Sequence, residues 1–252
     1  MTTPTFTIIT VTWNAASVLK PTLDSIRSQT CTDYEYLVMD GASSDDTVAM
    51  IQQSGLANVR VTSEPDSGLY DAMNKAIAAA TGRYLIFLNA GDSFADDTSL
   101  ARIAVAAEQS PGVIYGQTQI VDSNRRVFAQ RHLRAPKHLT VDSFARGMVV
   151  CHQAFVARRD LVPQYDLQYR YSADYDWCIR VLQQSAGNNA YVGNDPIISF
   201  LSDGMTDQHR WASLRERYRI MCHYYGTWPT IARHISFIPR FIVRRIYERI
   251  KK

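Results

Sequence analysis

The sequence predicts an α/β fold in which a mostly parallel central sheet is flanked by helices. Three observations lead there. Short β-branched and apolar runs alternate with helical repeats from Thr5 to Asp92. One of them, Tyr84–Leu88, is apolar on both faces, as expected of an interior strand with helices on either side. Each run also stops at polar turn formers, which places functional groups where strands end. Strands and helices in this alternation form βαβ units with right-handed crossovers. The early strands then all finish at one rim, where open α/β sheets bind ligands.

Taken in order, Thr5–Thr12 is the first strand, β-branched and alternating at its start, and Trp13-Asn14 ends it. Ala16–Ser28 spaces Val18, Leu19, Leu23 and Ile26 as a helix does. Tyr34–Met39 is the second strand. It is closed by Asp40-Gly-Ala-Ser-Ser-Asp-Asp-Thr47, a turn with helix N-cap candidates that leads into a short helix over Val48–Gln53. Val59–Thr62 is a third strand, Glu64–Gly68 a loop, and Leu69–Ala80 a helix that Thr81-Gly82 terminates. Asn89-Ala90-Gly91-Asp92 then stops the Tyr84 strand and brings the Asp92 carboxylate to the rim. Beyond it the alternation loosens. Thr98–Gln109 reads as helix, and Val113–Ile120 and Arg126–Gln130 pair as strands around Asp122-Ser-Asn124. Met148–Val156 is strand-like, interrupted by His152-Gln153; Ala173–Gln184 is a helix; Asn189–Val192 and Ile197–Leu201 are short strands before the loop Asp203–Thr206. With no linker, repeat or low-complexity tract, residues 1–205 are expected to form one domain and 206–252 a basic helical extension.

At 252 residues, 46% hydrophobic and 20% charged, the chain has the make-up of a globular protein with a substantial core. Its four cysteines, Cys31, Cys151, Cys178 and Cys222, show no metal-ligand spacing, which points to a reducing compartment and no structural zinc. No basic region followed by a long apolar run opens the sequence, so no signal peptide is expected and the cytoplasm is the expected location. The net charge of +3 hides an asymmetry: from Met205 onward 11 Lys and Arg face 3 Asp and Glu, a local balance of +8 that leaves −5 for the rest. Such a tail is suited to an anionic membrane surface, with no nucleic-acid partner expected. Ile235, Ile238, Phe241, Ile242, Ile246 and Ile250 recur at spacings of mostly three and four among Arg240, Arg244, Arg245, Arg249, Lys251 and Lys252. This pattern predicts an amphipathic basic helix lying on the inner membrane face, since no uncharged apolar stretch of about 20 residues exists to cross it.

Neither GxGxxG nor GxxxxGK[ST] occurs, so the dinucleotide fingerprint and the P-loop do not apply. Four other pieces stand in order: Thr12-Trp13-Asn14, Asp40–Thr47, Ser63–Lys75 and Phe87–Asp92. Together they resemble the family 2 glycosyltransferases with the GT-A fold, and the third is similar to the branch that includes colanic-acid-type polysaccharide-assembly transferases. The resemblance spans roughly residues 5 to 205. It implies inverting transfer of a sugar from a nucleotide-sugar, UDP-sugar ahead of GDP- or dTDP-sugar, usually with Mg²⁺ or Mn²⁺. The acceptor would be a glycan or lipid-linked sugar in surface polysaccharide or glycolipid assembly. Thr12, Trp13 and Asn14 with Asp40 would hold base and ribose, whose donors suit a carboxylate. Asp66, Asp71, Lys75 and Asn89 would serve the rest of the donor, Lys75 by neutralising phosphate. Asp92 falls in the family's metal-binding aspartate turn. Where many members carry Asp-x-Asp-Asp, this chain has Asn89-Ala90-Gly91-Asp92, which leaves one carboxylate for a metal.

An inverting transferase needs a base for the acceptor hydroxyl. Ser172–Arg180 resembles the family's Glu-Asp segment, with Asp174 at the aspartate position and Ala173 replacing the usual Glu. Helical spacing points the same way: Asp174 is in register with Cys178 and Val181, whereas Asp176 is expected to point away. His152 and Gln153 are expected near the acceptor, and Asp203 in a late loop that closes over the site. Two other classes compete. A sugar nucleotidyltransferase would need a Gly-rich basic loop after the first strand, and Trp13–Ala16 has neither Gly nor a cation. A catalytically inactive sugar-nucleotide-binding protein would fit the thinned Asn-Ala-Gly-Asp turn.

Overall fold

A computed structural model describes residues 3–202 and 210–235. Asp203 and the expected amphipathic helix beyond Ile235 lie outside the described residues.

The first half follows the predicted alternation: β1 (Phe6–Thr12), α1 (Ala16–Arg27), β2 (Tyr34–Asp40), α2 (Thr47–Gln52), β3 (Val59–Ser63), α3 (Leu69–Ala79) and β4 (Tyr84–Phe87). These strands lie parallel in the order β3-β2-β1-β4. β1 and β4 are buried throughout because helices cover both sheet faces, and each large apolar side chain so buried contributes roughly 1.5–3 kcal/mol. From β1 the chain moves outward through β2 to β3, and α3 carries it back across both to β4. With right-handed crossovers, that reversal sets α3 on the face opposite α1 and α2. It also leaves a switch point between β1 and β4, where the crevice at the carboxyl ends takes ligands in such sheets.

The second half comprises β5 (Ser93–Phe94), α4 (Ser99–Ala107), β6 (Val113–Val121), β7 (Val127–Gln130), β8 (Phe155–Arg158), α5 (Ala173–Ser185), β9 (Asn189–Leu201) and α6 (Arg210–Tyr225). It extends the sheet as β4-β8-β6-β9-β5, with β7 hairpinned on β6. Here the pairings are mixed. β8 runs antiparallel to both β4 and β6, and β9 runs parallel to β6. The carboxyl ends of β6 and β9 therefore reach the same rim as those of β1 to β4.

Three expectations need correction. Met148–Val156 is not one strand: only Phe155 onward pairs, and His152–Ala154 is a single 3-10 turn. Its apolar residues are buried in the core without being extended. The two short strands near the end are one, β9, carried past an irregular stretch beside Gln117 by its pairing with β6. The two-residue strand β5, paired with Ser199 and Ile198, was not foreseen. α6 packs on the domain: Ile220 and Met221 are buried, and Glu216 accepts the Arg170 and Tyr171 N–H groups at 2.9 and 2.8 Å.

Candidate active site

The β1 and β2 ends build one wall. Asp40 is 2% exposed, and both carboxylate oxygens are saturated. Thr12 Oγ1 (2.9 Å) and Ser43 Oγ (2.5 Å) donate to Oδ1, and Ser43 N–H (2.9 Å) and Ser63 Oγ (2.7 Å) to Oδ2. Burial works against its charge, but these donors prevail and hold the carboxyl below its ordinary range. Asp40 thus ties together the ends of β1, β2 and β3. Asn14, at φ 48°, locks the next turn by accepting the Ser44 N–H at 2.9 Å. Above this frame Trp13 is 71% exposed. A Cβ at Gly41 would lie 2.7 Å from Asp66 Oδ2, so a side chain there would push the Asp66 carboxylate aside, and Trp13 Cδ1 would stand at ordinary contact distance, 3.5 Å. Asp66 also accepts the Gly68 N–H at 2.8 Å. Trp13, Asp66 and the Asp40 frame are therefore brought together.

Along α3, Asp71 accepts the Ser67 N–H at 3.0 Å, the main cause of its lowered pKa. Lys75 is held within the protein, 2.9 Å from Glu64 and 3.0 Å from the Pro65 carbonyl.

The Asn89–Asp92 turn sits on α1, where Thr22 Oγ1 donates to the Asp92 carbonyl at 2.7 Å and accepts the Gly91 N–H at 2.9 Å. The sequence placed the Asp92 carboxylate open at the rim; in the structure it is 4% exposed. Gln153 Nε2 donates to Oδ2 at 2.6 Å and the Leu201 N–H to Oδ1 at 2.9 Å. Burial pushes its carboxyl up to about 7, against these two donors and the charge of Arg125. Gly91, where the family pattern has an aspartate, is at φ 94°, which residues with a side chain rarely adopt, and a Cβ there would press on Leu201 Cδ2 at 2.8 Å. Asn89 Oδ1 is buried and unpartnered. The donor set is thus one enclosed carboxylate and one amide oxygen, which does not fit the open hard-oxygen site a divalent ion requires. Among the described residues no cluster of three or more His, Cys, Asp or Glu side chains could hold a metal.

The opposite wall is the mouth of α5. Asp174 is half-buried. Its Oδ1 accepts the Tyr70 hydroxyl at 3.3 Å and the Tyr175 N–H at 2.9 Å, and no donor among the described residues bonds Oδ2. Burial, then the Asp174 charge, pushes the Tyr70 phenol well above its ordinary value, so it stays a donor. Tyr70 stacks on Tyr165, whose hydroxyl lies 2.6 Å from His152 Nε2. The His152 ring is buried against Phe87 and Trp177, and burial pushes its pKa down to about 4. His152 is therefore neutral at pH 7 and belongs to this aromatic support, while Gln153 belongs to Asp92. Asp176 lies on another side of α5, 5% exposed and bonded by Arg180 Nε and the Tyr224 hydroxyl, each at 2.7 Å, because α6 covers that side.

Sequence reasoning missed Tyr70, Tyr165 and Arg125. Tyr70 lies inside the Ser63–Lys75 stretch, one turn before Asn74, and was legible as a motif residue. Arg125, on the β6–β7 turn, gave no local signal.

A model of the family described as "Glycosyl transferase family 2" matches residues 7–165. The "PGL/p-HBAD biosynthesis glycosyltransferase" of Mycobacterium bovis is 36% identical over 200 residues, covering 76% of this chain and 75% of that one. The Escherichia coli "UDP-Glc:alpha-D-GlcNAc-diphosphoundecaprenol beta-1,3-glucosyltransferase WfgD" is 24% identical over 179 residues, 71% of this chain and 70% of that one. Two solved structures share the fold: S. aureus TarS 1-349 with UDP-GlcNAc (TM-score 0.69, 15% identity, 92% and 73% coverage) and the Pyrobaculum calidifontis mannosyltransferase PcManGT with GDP-Man and Mn²⁺ (0.58, 16%, 95% and 76%). With the family model covering more than half of its length, and a relative at this identity over three quarters of it, the chain belongs to glycosyl transferase family 2.

Proposed function

We propose that the protein is an inverting glycosyltransferase that moves a sugar from a nucleotide-sugar to a hydroxyl of a glycan or lipid-linked acceptor, in surface polysaccharide or glycolipid assembly. The observation that carries this is the pair Asp174 and Asp176. Two carboxylates stand two residues apart on α5: one is sealed by Arg180 and Tyr224, and the other faces the rim with an oxygen unbonded. Asp174 is the base. It takes the acceptor hydroxyl proton as that oxygen attacks the anomeric carbon from the side opposite the nucleoside diphosphate. The new C–O bond forms as the bond to the leaving phosphate oxygen breaks, its electron pair departs with the diphosphate, and the configuration inverts. Trp13 offers a flat apolar face to the base and Asp66 an acceptor to its N–H edge. The names of the relatives favour UDP over GDP or dTDP. Asp174→Asn is expected to lower kcat roughly 10²-fold or more with donor affinity little changed. Asp176→Asn should instead lower stability first, and an exchange of the two phenotypes would overturn the assignment.

The undecaprenol-linked acceptor in one relative's name supports a lipid-borne acceptor here too. No helix among the described residues is long and apolar enough to cross a membrane. Trp211 and Trp228, 84% and 80% exposed, precede the basic residues 236–252. The purified protein is expected to sediment with anionic liposomes at low salt and far less at high salt, each cation adding on the order of 1 kcal/mol. Truncation after Ser236 should remove this binding and spare nucleotide binding.

A further inference from the structure

We propose that the Arg125 guanidinium is the counter-charge for the donor's diphosphate, so that nucleotide binding by this protein needs no divalent metal. The inference rests on the nucleotide-sugar reading above and concerns the same crevice. Topology brings the group there: β6 ends at the rim shared by β1 to β4, and Arg125 sits in the turn that follows it. The turn is built firmly, with Asp122 Oδ1 accepting the Asn124 and Arg126 N–H groups, each at 2.9 Å, and Arg125 itself at φ 64°. From there the side chain crosses to the Asn89–Asp92 turn, donating through Nη1 to the Gly91 carbonyl at 2.7 Å and through Nη2 to Ser93 Oγ. A guanidinium has five N–H donors in a rigid fork, so two bonds fix it and others remain for a phosphate.

The charge at this spot also has the right sign. The hydrogen bonds of Arg125 go to neutral oxygens, the Gly91 carbonyl and Ser93 Oγ, and Asp92 acts on its charge only through space. Half-burial strengthens its field on an adjacent anion compared with an exposed cation. The turn that carries metal-ligating aspartates in many family members keeps one here, and that one is enclosed: Leu201 lies against Gly91, and Gln153 and Leu201 bond the Asp92 carboxylate. A fixed cation and a missing metal site thus coincide on one turn.

Calorimetric titration of the full chain with UDP, in EDTA and in excess Mn²⁺, tests this. Wild-type affinity is expected to differ less than about 3-fold between the two conditions. Arg125→Gln should weaken UDP binding about 10-fold or more in EDTA, without rescue by Mn²⁺, and Arg125→Lys should lose less. A 10-fold tightening of wild type by Mn²⁺, or unchanged binding by a folded Arg125→Gln, would overturn the proposal. The wild-type comparison decides even if the glutamine variant does not fold. If UDP, GDP and dTDP all fail to bind wild type in either condition, the nucleotide-sugar reading itself falls, and this proposal with it.

Discussion

Asp40 and Asp92 lie on one rim, at the end of β2 and past the end of β4 with β1 between those strands, and their residues are 2% and 4% exposed. The first stays below the ordinary carboxylate range, while burial pushes the second up to about 7. Two things differ: Asp92 lies deeper in the protein, and fewer donors reach it. Four N–H and O–H groups converge on Asp40, two on Asp92, and a buried carboxylate keeps its charge only when enough donors replace the water it has lost. Ser43, in the loop after β2, supplies two of those donors locally and the ends of β1 and β3 supply Thr12 and Ser63, whereas Asp92 depends on Gln153 and Leu201 alone.

The sharpest way to break this comparison is to remove the better-served acid. Asp40→Ala leaves Thr12, Ser43 and Ser63 donors facing an empty space and should cost about 3 kcal/mol or more in urea denaturation. A smaller loss than for Asp92→Ala would mean that the donor count does not set the difference.

A second test uses pH. Because the folded Asp92 binds its proton more tightly than the unfolded chain does, its contribution to stability is full below about pH 4 and is lost as pH rises to about 7. Asp92→Asn should therefore gain stability relative to wild type between pH 5 and pH 8, on the order of 2 kcal/mol. His152, with its lowered pKa, acts with the opposite sign, its contribution present above about pH 6.5 and lost as pH falls to about 4. The difference between variant and wild type isolates Asp92 from it. Parallel pH curves for the two proteins would show that Asp92 is ionised throughout.

The smallest expected effect is at Lys75, a half-buried cation paired with the exposed Glu64 beside the Asp40 frame. Lys75→Met should leave the unfolding midpoint unchanged within error, as surface pairs usually do. A loss of UDP affinity in the same variant would assign it to the donor, as its place in the Ser63–Lys75 stretch leads one to expect.

By itself the sequence determined the first half of the fold, from β1 through β4, because each strand there is a short apolar run cut off by its own turn formers and each helix repeats on one stripe. It also determined which polar residues arrive at the rim, since strand ends fix where Thr12, Asp40 and Asp92 emerge. Tertiary structure decided what those residues face. Burial periodicity gives α5 one core face, yet Asp176 is buried on another because α6, from beyond residue 210, covers it. The apolar segment Met148–Val156 told of burial and not of backbone shape, since an apolar chain packs equally well in a turn once neighbouring strands are paired elsewhere. Asp92 is read as an open ligand until Leu201 and Gln153 close over it, and Arg125 is an ordinary turn residue until the β6 hairpin carries it to Gly91. Those contacts join residues separated by 34 to 109 positions, a distance over which periodicity and turn chemistry carry no information and only packing does.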